Sequence, residues 1–481
     1  MKACLGILVP VLLHGFAFVT GADIQFPINQ ISPLRSAYGD NWTAQEQDDR
    51  VCRAETRHFS GRVNVTEEKS LFFWFVEARE NPNERPIILW LNGGPGASSM
   101  VGLFGEVGPC SLDNDDKSTT PNEDSWANDA NLIFLDQPAG VGLSTVTDPT
   151  FSPTTLEAAS ADFAKFLSVF FDQIFPQYAN NPLYISGESF GGKYVPKFVS
   201  DIKRNQAVNA LGALAINLRG IILVDAVVSM KYITTGQYDM FCGEDNGILH
   251  FNESSCTAMA AAIPHCEHLH SICELTYDAQ SCAAAEEYCS AQVGVYFDEE
   301  VQAHRRSPYD LRESCPEPPV CGGGDAPGGS VSVYLNDPKV QTLLGFGRHV
   351  NYTGINFPLN SRWSQEPEIF QPTTKELMYL LDLEKFKVLV LNGNYDVIVN
   401  TPGTLRQYDE IAWHGQAEYR LQPLEDWYWL DKQGVSHKGG QEKSVDGLHV
   451  VTIDDAGHMA PAHQQPAVTS IVKRWLSNRS E

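Results

Sequence analysis

Six short apolar runs, each closed by turn residues, constrain this chain more than any other feature. They are Ile87–Leu91, Leu132–Leu135, Leu183–Ile185, Gly220–Val224, Lys387–Leu391 and His449–Ile453. Continuous apolar runs of four to eight residues with polar ends are the mark of strands covered on both faces. Apolar residues at helical spacing fill much of the chain between them, as in Thr154–Phe175. Strands joined through helices run parallel by right-handed crossovers. The expected fold class is therefore α/β, a mostly parallel sheet with helices on both faces.

The chemistry sits at the ends of those runs. Gly187-Glu188-Ser189-Phe190-Gly191 follows one of them and fits G-x-S-x-G, a turn so sharp that its flanking glycines must be small. It lifts the Ser189 hydroxyl to the start of the next helix. A serine needs a base, and the base needs an orienting carboxylate, in the chain order Ser, acid, His. His458, just past the last apolar run, is the candidate base; His463 is its rival, expected to face solvent after Pro461. Two acids end strands at suitable places, Asp396 and Asp225. Residue position leaves both open and favours Asp396, whose Gly-containing loop leads into a polar turn. Asn92-Gly-Gly-Pro-Gly96 ends an earlier run, and its glycines can turn backbone N–H groups inward for an oxyanion. Read without context, it is equally a plain tight turn.

Eight of the cysteines lie between Cys242 and Cys321, so residues 230–345 read as a Cys-rich insertion, with 23–229 and 346–481 as the core. The first 22 residues read as a signal peptide. Lys2 precedes an apolar stretch from Leu5 to Val19, interrupted by Pro10 and His14, and Thr20-Gly21-Ala22 offers a cleavage site. That stretch is short of the ~20 residues a bilayer needs, so no membrane span is expected after its removal. Ten cysteines remain beyond it, an even number that suits five disulfides in an oxidising compartment. Five sequons, at Asn41, Asn64, Asn252, Asn351 and Asn478, are candidate glycosylation sites. A net charge of −26 excludes nucleic acid and anionic membrane as natural partners.

Metal chemistry is disfavoured. His250-Phe-Asn-Glu253 matches H-x-x-E only as often as chance allows. His265, His268 and His270 lie beside Cys266 and Glu267, but an oxidised cysteine supplies no thiolate ligand. No metal and no cofactor are expected.

The separated motifs resemble the serine carboxypeptidases, and among them the fungal branch. They are Phe73–Ala78, Trp90–Gly96, Gly105–Pro109, Asp136–Gly142, Gly187–Gly192, Asn394–Asp396 and Gly457–Met459. The resemblance implies an α/β-hydrolase fold and a secreted enzyme, with the vacuole as the lesser alternative. Its substrates would be the C-termini of peptides and proteins. It makes Ser189 the nucleophile, His458 the base and Asp396 the orienter, and sets Asp225 aside. It assigns the oxyanion hole to the N–H groups of Gly94 and Phe190. Asn92, the Gly93 backbone, Glu106 and Glu188 would hold the substrate carboxylate, with activity favoured in acid. It implies the pairs Cys242–Cys256, Cys266–Cys289, Cys273–Cys282 and Cys315–Cys321, with Cys52 left for Cys110, and makes the Cys-rich segment a cap over the site. The sequence departs from the family pattern at Ala97, where a cysteine tethered to the cap is usual, at Val224-Asp225-Ala226, at Leu143-Ser-Thr145 and at Val399. An acyltransferase or a lipase on the same fold, or a non-enzymatic glycoprotein, are the competing readings. Glu106 and Glu188 suit an apolar acyl substrate poorly.

Overall fold

The computed structural model describes residues 34–35, 41–113, 116–208, 213–243, 247–304, 306–315, 329–383 and 385–477. The expected signal peptide, Cys321 and Asn478 lie outside these residues.

All six apolar runs are strands. Asn131–Leu135, Ile87–Leu91, Leu183–Glu188, Leu218–Val224, Lys387–Gly393 and Leu448–Ile453 lie side by side in that order, every neighbouring pair parallel. Every residue of Ile87–Leu91 and Leu183–Glu188 is buried, because helices cover both faces. On one edge the sheet continues through antiparallel Lys69–Val76, His58–Asn64 and Trp42–Gln47; on the other through Ser436–Val445 and Glu425–Leu430.

Alternate residues of the central strands feed two large apolar clusters, one on each face. Leu89, Leu91 and Ile185 pack with Phe163, Phe166, Phe198 and Val199 of the helices Leu156–Val169 and Gly191–Ala207. Ile88, Trp90, Ile222 and Leu389 face Met100, Leu103 and the C-terminal helix residues Val468 and Ile471. This is the period-two alternation of a sheet buried on both sides.

A third cluster joins Met240, Phe241, Leu249, Phe251, Met259, Val293, Phe297 and Leu311 of the Cys-rich segment to Val397, with Tyr395 packed against it. The two residues flanking Asp396 are thus held by the segment's own apolar core. Within it the helices Lys231–Cys242, Glu253–Thr276 and Ala279–Cys289 are stapled by Cys242–Cys256, Cys266–Cys289 and Cys273–Cys282. Cys52 bonds Cys110. These are four of the five expected pairs; the partner expected for Cys315 lies outside the described residues. Asn41, Asn64, Asn252 and Asn351 are all exposed. Among the described residues no helix is long and apolar enough to cross a membrane.

Candidate active site

Ser189 follows its strand in the left-handed region, φ 58°, and is partly exposed. Its N–H donates to the carbonyls of Val224 and Asp225, both at 3.1 Å, and its carbonyl accepts from Val227 at 3.0 Å. The turn is thereby pinned to the end of the neighbouring strand. Gly187 is sterically required: a Cβ there would meet Val195 Cγ2 at 2.6 Å and Gly191 Cα at 3.0 Å. Gly191 corrects the expectation that both flanking glycines must be small. A Cβ on it would lie an ordinary 3.6 Å from the Leu91 carbonyl, whereas one on Gly192 would strike the Val227 backbone at 2.4 Å. The close helix-to-loop approach falls one residue later than the motif suggests.

His458 and Asp396 are buried and joined, Nδ1 to Oδ2, at 2.7 Å. The other Asp396 oxygen accepts from the Val399 N–H at 3.0 Å. Tyr309 sets the ring from the side. Its carbonyl accepts the His458 N–H at 2.6 Å, and its ring centroid lies 5.4 Å from the imidazole. His463 does not simply face solvent as expected. It is half-buried, and its Nδ1 accepts the Gly457 N–H at 3.0 Å, propping the loop that carries His458. Neither Tyr309 nor His463 has a sequence signal for this role, since both act through loop backbone.

The glycine loop closes against the elbow. A Cβ on Gly93 would sit 2.4 Å from the Phe190 nitrogen and 2.8 Å from Ser189 Cβ. Gly94 has φ 105°, open to glycine. Among the described residues neither the Gly94 nor the Phe190 N–H bonds to a backbone acceptor. Asp136 holds this loop from beneath, accepting from the Ser98 hydroxyl at 2.6 Å, Ser99 N–H at 2.9 Å and Leu143 N–H at 2.8 Å. At Ala97, where the tethering cysteine is absent, the loop pairs through backbone instead. Ala97 bridges Ile355, Ser98 N–H donates to Gly354 at 2.8 Å, and Asn356 N–H donates to Gly96 at 2.9 Å.

Beside the loop lies a buried acidic pair. Asn92 Oδ1 accepts from the Trp90 indole at 2.8 Å and the Gly102 N–H at 3.1 Å. That turns its Nδ2 towards Glu188 Oε1 at 3.1 Å and Glu106 Oε1 at 3.4 Å. Gly102 permits this, because a Cβ there would meet the Trp90 nitrogen at 2.2 Å. Both Oε2 atoms are buried and meet no N–H or hydroxyl donor, and the two carboxyls bear on each other instead. Burial raises both carboxyls, and the neighbouring Glu106 raises Glu188 further, well above the usual range. The pair therefore holds a proton between its two carboxyls at acid pH, and a protonated carboxyl is a donor.

These shifts reach stability. Burial also lifts Asp136 to about 6 and Glu286 to about 7, and raises Asp225. An acid with a raised folded-state pKa binds more protons folded than unfolded above about pH 4, so it loses stability as pH climbs to its folded value. His58 and His270, both lowered to about 4 by burial, and His463, also lowered, act oppositely, losing stability as pH falls below about 6.5. Among the described residues eight carboxyls are raised, Asp162, Asp298 and Glu376 included, against three lowered histidines. Tm measured calorimetrically should fall as pH rises between about pH 5 and 7.

A serine on a sharp turn above a mostly parallel sheet, with a His–Asp pair on the following loops, is the arrangement of an α/β-hydrolase. Residues 49–478 match the family model described as serine carboxypeptidase. The chain belongs to the serine carboxypeptidase family. It is 34% identical over 429 residues to the carboxypeptidase Y homolog A of Phaeosphaeria nodorum, covering 88% of this chain and 74% of that protein. The Aspergillus oryzae protein of the same name is 35% identical over 415 residues, covering 85% and 72%. The crystal structure of Kex1Δp, a prohormone-processing carboxypeptidase from Saccharomyces cerevisiae, superposes with a TM-score of 0.73 at 21% identity, over 89% of this chain and 95% of that one. The fold is shared with it.

Proposed function

We propose that this serine carboxypeptidase is exported, to the cell exterior or, as the lesser alternative, the vacuole, and that it releases C-terminal residues in acid. Ser189 attacks the last peptide bond's carbonyl while His458 takes its proton and Asp396 holds the imidazole. The oxyanion is received by the Gly94 and Phe190 N–H groups. The leaving amino acid takes the proton back from His458, and water repeats the sequence on the acyl-enzyme. Residues 230–345 act as a cap over the site and 23–229 with 346–481 as the catalytic core; 1–22 are removed on export. The exposed sequon asparagines suit glycosylation on that route, and the disulfides suit its oxidising conditions.

The observation that carries the substrate assignment is the Glu106–Glu188 pair beside Asn92 and Gly93. A terminal carboxylate binds to donors. Asn92 Nδ2 and the proton held by the pair supply them; an ionised pair repels it. Affinity should fall as pH rises and the proton leaves. The test is KM against pH for a free-acid peptide and its C-terminal amide. The acid should weaken with rising pH while the amide changes little, and parallel profiles for both contradict the assignment.

A further inference from the structure

Asp225 stands at the centre of the site, and the proposed triad does not use it. It ends the strand Leu218–Val224 fully buried, in a left-handed conformation at φ 45°. Its carbonyl accepts the Ser189 N–H at 3.1 Å, its own N–H donates to Leu391 at 2.8 Å, and its Oδ1 accepts the Gly393 N–H at 2.7 Å. The Ala460 N–H, two residues past His458, also faces its carboxyl. One residue thus touches the three segments that carry Ser189, Asp396 and His458.

Its second oxygen decides its role. Oδ2 is buried without a partner, and the carboxyl lies against that of Asp396. Both Asp396 oxygens are already engaged, by His458 Nδ1 and by the Val399 N–H. Asp225 in turn bears on Glu188 at the elbow and helps to raise it. Adjacent buried carboxyls do not both ionise. Asp396 has the imidazole on its Oδ2, so Asp225, with its Oδ2 open, is the one placed to carry a proton between them. For Asp225, burial comes first and the charge of Asp396 second, and together they hold it well above the usual carboxylate range.

We propose that Asp225 is a positioning residue that works as a neutral acid, donating a hydrogen bond from Oδ2 to the Asp396 carboxylate and so holding that carboxylate against His458. This rests on the Ser189–His458–Asp396 reading. When Asp225 loses its proton the donor becomes a second acceptor, and Asp396 is pushed from the imidazole. Turnover falls with rising pH for a reason separate from the Glu106–Glu188 pair, which acts on the substrate's carboxylate. The two macroscopic steps belong to the coupled pair.

The experiment measures kcat against pH at saturating peptide amide, which carries no terminal carboxylate, for the wild-type protein, D225N and D225A. Asparagine keeps a donor and cannot ionise. D225N should hold the acid-side kcat within about threefold and move the alkaline limb up by about one pH unit or more. D225A, lacking donor and acceptor, should lose about tenfold or more at every pH with little change in KM. An alkaline limb unmoved in D225N, or D225A matching wild type, overturns the proposal. If neither variant folds, the wild-type profile decides: kcat on the amide must decline with rising pH, and a flat profile overturns it. Fluorophosphonate labelling of the wild-type protein and its absence in S189A test the triad separately.

Discussion

Ser189→Ala should leave the fold intact and lower kcat on the order of 10⁴-fold or more. The serine contributes only its hydroxyl to the site. Its backbone, through bonds to Val224, Asp225 and Val227, is what holds the elbow, and alanine keeps that backbone. The cost of φ 58° is already present in the serine and is not increased by removing an oxygen. The melting temperature should therefore stay near that of the wild-type protein while fluorophosphonate labelling disappears. Residual turnover would come from the Gly94 and Phe190 N–H groups, which remain in place.

Asp396→Asn should cost about 10⁴-fold in kcat with a small change in KM, the effect of presenting the base with an amide in place of an acceptor. Oδ2 accepts from His458 Nδ1 and Oδ1 from the Val399 N–H. An asparagine satisfies one of these with its oxygen and sets its NH₂ against the other. If the oxygen stays on Val399, the amide faces His458 and selects the wrong tautomer. If it turns to His458, the amide opposes the Val399 N–H and the loop shifts. Either way the carboxylate that stabilises the imidazolium is gone. Kinetics at several pH values check it, and a loss under tenfold would move the orienting role elsewhere.

The central sheet was legible because its strands are buried on both faces, which writes a continuous apolar run into the sequence. The flanking strands were not. Trp42–Gln47 and Glu425–Leu430 mix buried and exposed positions, and short polar-rich strands look like loops. Motifs at strand ends could be located for the same reason as the strands themselves, since the apolar run fixes where each one sits, although a Gly-rich or acidic turn there is also compatible with a plain turn. What could not be read was mutual geometry. Nothing local says that Trp90 and Gly102 aim Asn92 at two glutamates, since that depends on an indole meeting a helix across 2.2 Å of missing Cβ. Asp225 and Asp396 looked alike as strand-end acids; only three-dimensional packing shows that one has its oxygens engaged and the other keeps one bare. His463 was misplaced because its partner is a backbone N–H on a neighbouring loop. Three of the four observed cysteine pairs were drawn from family resemblance and Cys52–Cys110 was what remained, as spacing alone permits many connectivities.

The most direct test of the account is to digest a free-acid peptide with the purified wild-type protein and S189A and follow the products by mass spectrometry over several acidic and neutral pH values. A ladder of single losses from the C-terminus, fastest in acid, is expected, with S189A leaving the peptide whole. Internal cleavage, loss from the N-terminus, or the same ladder from S189A would contradict it.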